Sequence, residues 1–167
     1  MSSSGVNKDL TDDFANDMAI TTQYKNLATG EEIELSKVNQ GIDIMVVHKI
    51  EIDSKLKNDM ELSIEAPVPA GFELENPRLS SGRKLVSKLK RLKPSFEEYR
   101  DDRYVAAWSL NRGYRSSGIK DTVFYVAYVM RAVTPGSYFV PAISIEDMYQ
   151  PIYRANTAES HVIVIAK

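Results

Sequence analysis

Ile42-Asp43-Ile44-Met45-Val46-Val47-His48-Lys49-Ile50-Glu51-Ile52 is the stretch whose reading decides how this chain folds. Its even positions are Ile42, Ile44, Val46, His48, Ile50 and Ile52, while Asp43, Lys49 and Glu51 fall on odd positions. Side chains of a strand point alternately to opposite faces, so one apolar and one polar face predict a half-buried strand. Working outward, Met60, Leu62, Ile64 and Ala66 alternate with Glu61, Ser63 and Glu65, and Tyr104, Ala106, Trp108 and Leu110 repeat the pattern. Ile20, Thr22 and Tyr24 predict a shorter first strand, and His161 to Ala166 a last one. Val123 to Val133 is apolar on both faces, which predicts a central strand or one whose outer face meets a partner.

Turn chemistry separates these runs. Ala28-Thr29-Gly30, Asn39-Gln40-Gly41, Pro69-Ala70-Gly71, Ser81-Gly82, Asn111-Arg112-Gly113 and Pro135-Gly136 all interrupt extended backbone. Many short strands with such breaks between them predict an all-β chain folded as an antiparallel β-sandwich. One segment departs from period two. Leu85, Val86, Leu89 and Leu92 share a helical face opposite Lys84, Lys88 and Arg91, and Pro94 stops the run. Lys84 to Lys93 therefore predicts one short helix or an irregular crossover. Residues 1–17 are polar and read as a disordered leader or linker, with the sandwich over 18–167. The start Met1-Ser2-Ser3-Ser4-Gly5 has no apolar core or cleavage-site pattern, so it reads as an added leader or the edge of an excised piece, not a signal peptide.

Composition narrows the chemistry. The 167 residues are 43% apolar and 26% charged, ordinary for a folded domain and unlike a disordered one. A net charge of −2 gives no bulk attraction to nucleic acid or anionic lipid. The chain has no cysteine, so thiol catalysis, disulfides and cysteine zinc sites are excluded within it.

His48 and His161 lack partners at metal-ligand spacing, and His48 on an apolar face reads as a structural histidine. Asp101 and Asp102 are adjacent, so a strand would send them to opposite faces; flanking Arg100 and Arg103 suggest local ion pairs at a strand start. Ser116 and Ser117 have no nearby base, and the basic run through Lys84, Lys88, Lys90, Arg91 and Lys93 reads as a solvated face. Trp108 reads as core. No nucleophile elbow or phosphate-binding loop is present, and no enzyme activity or cofactor is expected. Ser144 to Pro151 reads as a loop, since Pro151 bars a central strand. Its adjacent Met148 and Tyr149 are either tucked into their own core or used against a partner.

Four segments in order, Val68-Pro-Ala-Gly-Phe-Glu-Leu-Glu-Asn-Pro-Arg-Leu79, Tyr99-Arg-Asp-Asp-Arg-Tyr104, Arg131-Ala-Val-Thr-Pro-Gly-Ser-Tyr138 and Glu146-Asp-Met-Tyr-Gln-Pro151, resemble the C-terminal macroglobulin-like domain of bacterial alpha-2-macroglobulins. The likeness runs from about Ile20 to Lys167. It departs at Leu85 to Pro94, which has no counterpart in the pattern, and at Pro141-Ala142, where a Pro-Pro pair is common. The resemblance implies a fibronectin/immunoglobulin-like macroglobulin sandwich within a large periplasmic protease trap, lipid-anchored to the inner membrane. A Cys–Gln thioester in another domain of such a parent captures the protease. It further implies that Met148 and Tyr149 match a lock over that thioester, framed by Asp147 and Pro151. The implied partners are the thioester domain of the same parent and, through the whole molecule, target proteases. Nucleic acid and direct membrane contact are not expected, and the chain alone is expected to be a monomer. The competing expectation is a free-standing immunoglobulin-like adhesion module. It would use the odd face of Val123 to Val133, or the basic run, against a protein or an anionic surface.

Overall fold

The structure, a computed structural model, describes residues 13–53, 55–56, 59–75, 92–110 and 123–167. Its strands in chain order are β1 (Phe14–Asn16), β2 (Met18–Asn26), β3 (Glu32–Ile33), β4 (Lys37–Asn39), β5 (Asp43–Ile52), β6 (Met60–Pro67), β7 (Phe72–Glu75), β8 (Phe96–Tyr99), β9 (Arg103–Leu110), β10 (Val123–Ala132), β11 (Gly136–Val140), β12 (Ser144–Asp147), β13 (Arg154–Asn156) and β14 (Ser160–Ile165). A six-stranded sheet runs β1-β13-β12-β6-β9-β8, a five-stranded sheet β3-β2-β5-β10-β7, and a small third sheet β11-β14-β4. All pairings are antiparallel except β4 on β14. The expected sandwich is therefore present, with one parallel pair in its smallest sheet.

The alternation that predicted β5 also explains the core. Ile44, Val46, His48, Ile50 and Ile52 all point inward and are buried. The four aliphatic side chains share one cluster with Leu62, Ile64, Tyr104 and Trp108 from the six-stranded sheet, while the His48 ring lies 5.4 Å from that of Tyr128. Aromatic rings join the layers: Tyr104 stacks on Tyr128 with centroids 4.9 Å apart, and Trp108 tilts against Phe124 at 5.4 Å. The Trp108 indole N–H donates to the Leu92 carbonyl at 3.0 Å, which satisfies its one polar atom. The core is closed by the chain's own side chains, so the sandwich has the means to fold alone.

β10 is central as expected, paired with β5 on one side and β7 on the other. Its odd face is not a free docking face, however. Ala127 is buried with Met45 and Val47 in a second small cluster, flanked by Leu27 and Tyr125.

Two boundaries move. Phe14–Asn16, assigned to the leader on polarity, forms β1 by pairing with Arg154–Asn156. Ser144–Asp147, assigned to a loop, is β12, flanked by β6 and β13. Ile145 and Asp147 point inward and Ser144 and Glu146 outward, so a period-two strand was present but too short to stand out. Pro151 lies within the turn that follows β12, outside any strand. Of Lys84 to Lys93, residues 84–91 lie outside the described residues, as do Ser116 and Ser117; Leu92 and Lys93 are irregular backbone leading to β8.

Candidate functional site

The turn from Met148 to Tyr153 joins β12 to β13 at one corner of the six-stranded sheet. Its geometry follows from Asp147, whose side chain points inward and is only 1% exposed. Asp147 Oδ1 accepts the amide N–H groups of Tyr149, at 2.9 Å, and Gln150, at 3.2 Å. A short carboxylate accepting from backbone two and three residues on is the mechanism by which aspartate builds turns. The Asp147 amide itself donates to Tyr153 O at 3.0 Å, the Tyr153 amide to Gln150 O at 2.9 Å, and the Met148 amide to Glu61 O at 2.8 Å. The turn is thus tied to its own strand and to β6.

What the turn displays is apolar. Tyr149 is 80% exposed, Met148 47% and Ile152 65%, with Pro151 exposed between them. Of the two readings open for Met148 and Tyr149, burial in their own core is excluded by these exposures. Phe14 on β1 is 44% exposed and pairs with Asn156, at the end of β13 away from the turn, while Asn16 pairs with Arg154 beside it. The Arg154 guanidinium stacks over the Phe14 ring at 5.2 Å. Asn16 Nδ2 donates to Ile152 O at 2.7 Å, fastening the turn to β1. Phe14, Asn16, Ile152 and Arg154 were missed from sequence. A lone phenylalanine in a polar stretch and an isoleucine after a proline are the signals that were there.

The remaining candidates fall into structural roles. His48 is fully buried, its Nδ1 lies 2.9 Å from Thr22 Oγ1, and its Nε2 has no partner. Burial lowers its pKa to about 3, so it is neutral and unsuited to base catalysis at neutral pH. Asp101 and Asp102 occupy the tight turn between β8 and β9. Arg103 grips Asp102 at 2.7 Å and also pairs with Glu65, while Arg100 pairs with Glu98 at 2.8 Å. That is the local pairing expected at a strand start. Trp108 is core as expected. No cluster of metal-ligating side chains occurs among the described residues.

Residues 18–151 match the family model of the bacterial alpha-2-macroglobulin MG10 domain. The chain is 27% identical over 147 residues to an alpha-2-macroglobulin of Escherichia coli, covering 81% of this chain and 8% of that protein. It is 34% identical over 119 residues to one of Xylella fastidiosa, covering 65% of this chain and 7% of the relative. Among solved structures it is similar to Salmonella alpha-2-macroglobulin reacted with methylamine, at 28% identity and a TM-score of 0.75, over 94% of this chain and 10% of that one. It is also similar to native Escherichia coli alpha-2-macroglobulin spanning domain MG7 to the C-terminus, at 26% identity and a TM-score of 0.70, over 91% of this chain and 24% of that one. The chain thus spans less than a tenth of the length of the curated relatives it matches. It belongs to the bacterial alpha-2-macroglobulin MG10 domain family.

Proposed function

We propose that this domain serves a larger protease-trapping alpha-2-macroglobulin by closing over the thioester of a neighbouring domain, with Tyr149 and Met148 as the lid. In this reading Asp147 and Pro151 hold the lid's shape, and the parent resides in the periplasm, lipid-anchored to the inner membrane. The domain performs no chemistry itself. The thioester cysteine comes from elsewhere in the parent, since this chain has none.

The observation that carries the reading is the pinned, outward-facing Met148-Tyr149 pair. A large apolar side chain 80% exposed on a turn fixed by a buried carboxylate is held out for a partner, because a chain ordering the turn for its own core would bury it. A thioester persists only where water and amines are excluded. Burying a tyrosine or methionine side chain contributes about 1.5–3 kcal/mol each, enough to hold a lid shut. That amount is small beside a rearrangement driven by cleavage elsewhere in the parent.

The test is the lifetime of the thioester in the full-length parent. Losing the Tyr149 burial raises the open population about 10- to 100-fold, so Tyr149→Ala speeds thioester loss to water or methylamine by that order. Unchanged lifetimes in both Tyr149→Ala and Met148→Ala would sink the assignment.

A further inference from the structure

β3, at one edge of the five-stranded sheet, covers little of its neighbour β2. β5 pairs with β2 along its whole length, Met18 to Asn26, whereas β3 pairs only with Tyr24 and Lys25. The Leu27 amide donates to Asp43 O at 2.9 Å and the Asp53 amide to Asp17 O at 2.8 Å, so odd-numbered residues of β2 direct their backbone groups to β5. Hydrogen-bonded and non-hydrogen-bonded pairs alternate along an antiparallel ladder, so even-numbered residues turn theirs to the other side. There Tyr24 faces Ile33 and the Asn26 amide donates to Glu31 O, but Thr22 has no backbone partner among the described residues. One register step on, Leu35 would stand opposite Thr22, yet Leu35 is 6% exposed and belongs to the core.

A groove of about 530 Å³ lies at this open edge. Tyr24, Ile33 and Leu35 give it apolar surface, and Ser160, at the start of β14, lines it as well. Glu32 and Glu34 border it, both exposed, and no lysine or arginine among the described residues lines it. An open strand edge binds an extended peptide through main-chain hydrogen bonds, and the side chains beside it set which peptide is accepted. Two carboxylates with no lining cation select positive charge. The chain matches only 8% of the length of its Escherichia coli relative, and a segment tethered in the same polypeptide meets the edge at a far higher effective concentration than a free peptide. We infer that an extended segment bearing lysine or arginine, from the parent chain outside this domain, adds as a strand to β2 at Thr22. None of the lining residues belongs to the Met148–Tyr153 turn, so occupancy of the groove is separate from closure of the lid.

Hydrogen exchange at the Thr22 amide tests this, in the full-length parent and in the 167-residue chain alone. The amide is expected to exchange about tenfold more slowly in the parent, where the added strand accepts it. The Gln23 amide, directed to β5, is the internal control and stays protected in both. Glu32→Lys with Glu34→Lys reverses the charge at two exposed positions, leaves the sandwich intact, and returns the Thr22 amide of the parent to the free-chain rate. Equal Thr22 exchange in parent and free chain overturns the assignment. Slowing that survives the charge reversal overturns it as well, because the occupant is then not basic. Slowing in the free chain that grows with its concentration does the same, because the occupant is then a second copy.

Discussion

His48 sits in the middle of β5 with its ring buried, one nitrogen on Thr22 and the other without a partner. Its pKa in the folded chain is about 3, against an ordinary 6.5, because burial disfavours the imidazolium. The unfolded state therefore binds the extra proton first as pH falls. The stability contributed by the neutral ring is complete above about pH 6.5 and is lost at about 1.4 kcal/mol per pH unit below it. Denaturant midpoints taken from pH 7 to pH 5 are expected to fall in the native chain and to fall less steeply in His48→Gln, which keeps a partner for Thr22 without titrating. Equal slopes would contradict the burial assignment. The same residue shows what sequence offered: alternation placed the histidine inward, but no pattern in one strand discloses that its second nitrogen goes unpaired. Asp147 is the converse case. Its inward direction was hidden by the shortness of β12, and its pairing with the Tyr149 and Gln150 amides became visible only with the turn in place.

At the scale of elements, the long strands β5, β6 and β9 were legible because each repeats its period four or more times, and β10 because its apolar run is long and rich in Val and Tyr. β3, β4, β8, β12 and β13 were not, because two to four residues do not establish a period, and their pairing is decided by neighbours. Packing between elements supplies its own test at the start of β7. A side-chain carbon at Gly71 would lie 2.1 Å from the Tyr138 ring, well inside contact distance. The Gly71 carbonyl also accepts the Val133 and Thr134 amides, at 2.9 and 3.2 Å, so the backbone has little room to retreat. Gly71→Ala is expected to destabilise the chain by about 1–3 kcal/mol. Adding Tyr138→Ala should recover part of that loss, whereas strict additivity in the double-mutant cycle would show that the ring is not the obstacle. The turn after β12 behaves oppositely. Tyr149→Ala in the free chain should change unfolding free energy by less than about 0.5 kcal/mol. Asp147→Ala should cost about 1–3 kcal/mol by orphaning two amides. A large loss of melting temperature in Tyr149→Ala would return that ring to the core.

Across the whole molecule, two sheets share one aromatic-braced core, and the exposed apolar residues concentrate at the Met148–Ile152 corner and on the third sheet. The sandwich class followed from alternation and turns alone. The family followed from four short segments in order, three of which lie wholly within the described residues: the Asp101-Asp102 turn shapes the β8–β9 hairpin, Arg131 to Tyr138 joins β10 to β11, and Asp147 shapes the turn after β12. β1 escaped sequence reading because it forms only by pairing with β13, more than a hundred residues away. The central claim is that Met148 and Tyr149 keep small nucleophiles from a thioester in the full-length parent. The direct measurement is the rate at which methylamine releases free thiol from that parent, compared among native protein, Met148→Ala with Tyr149→Ala, and Glu146→Ala as a neighbouring exposed control. The account predicts release at least about tenfold faster in the double variant and native rates in the control. Equal rates in all three would contradict it.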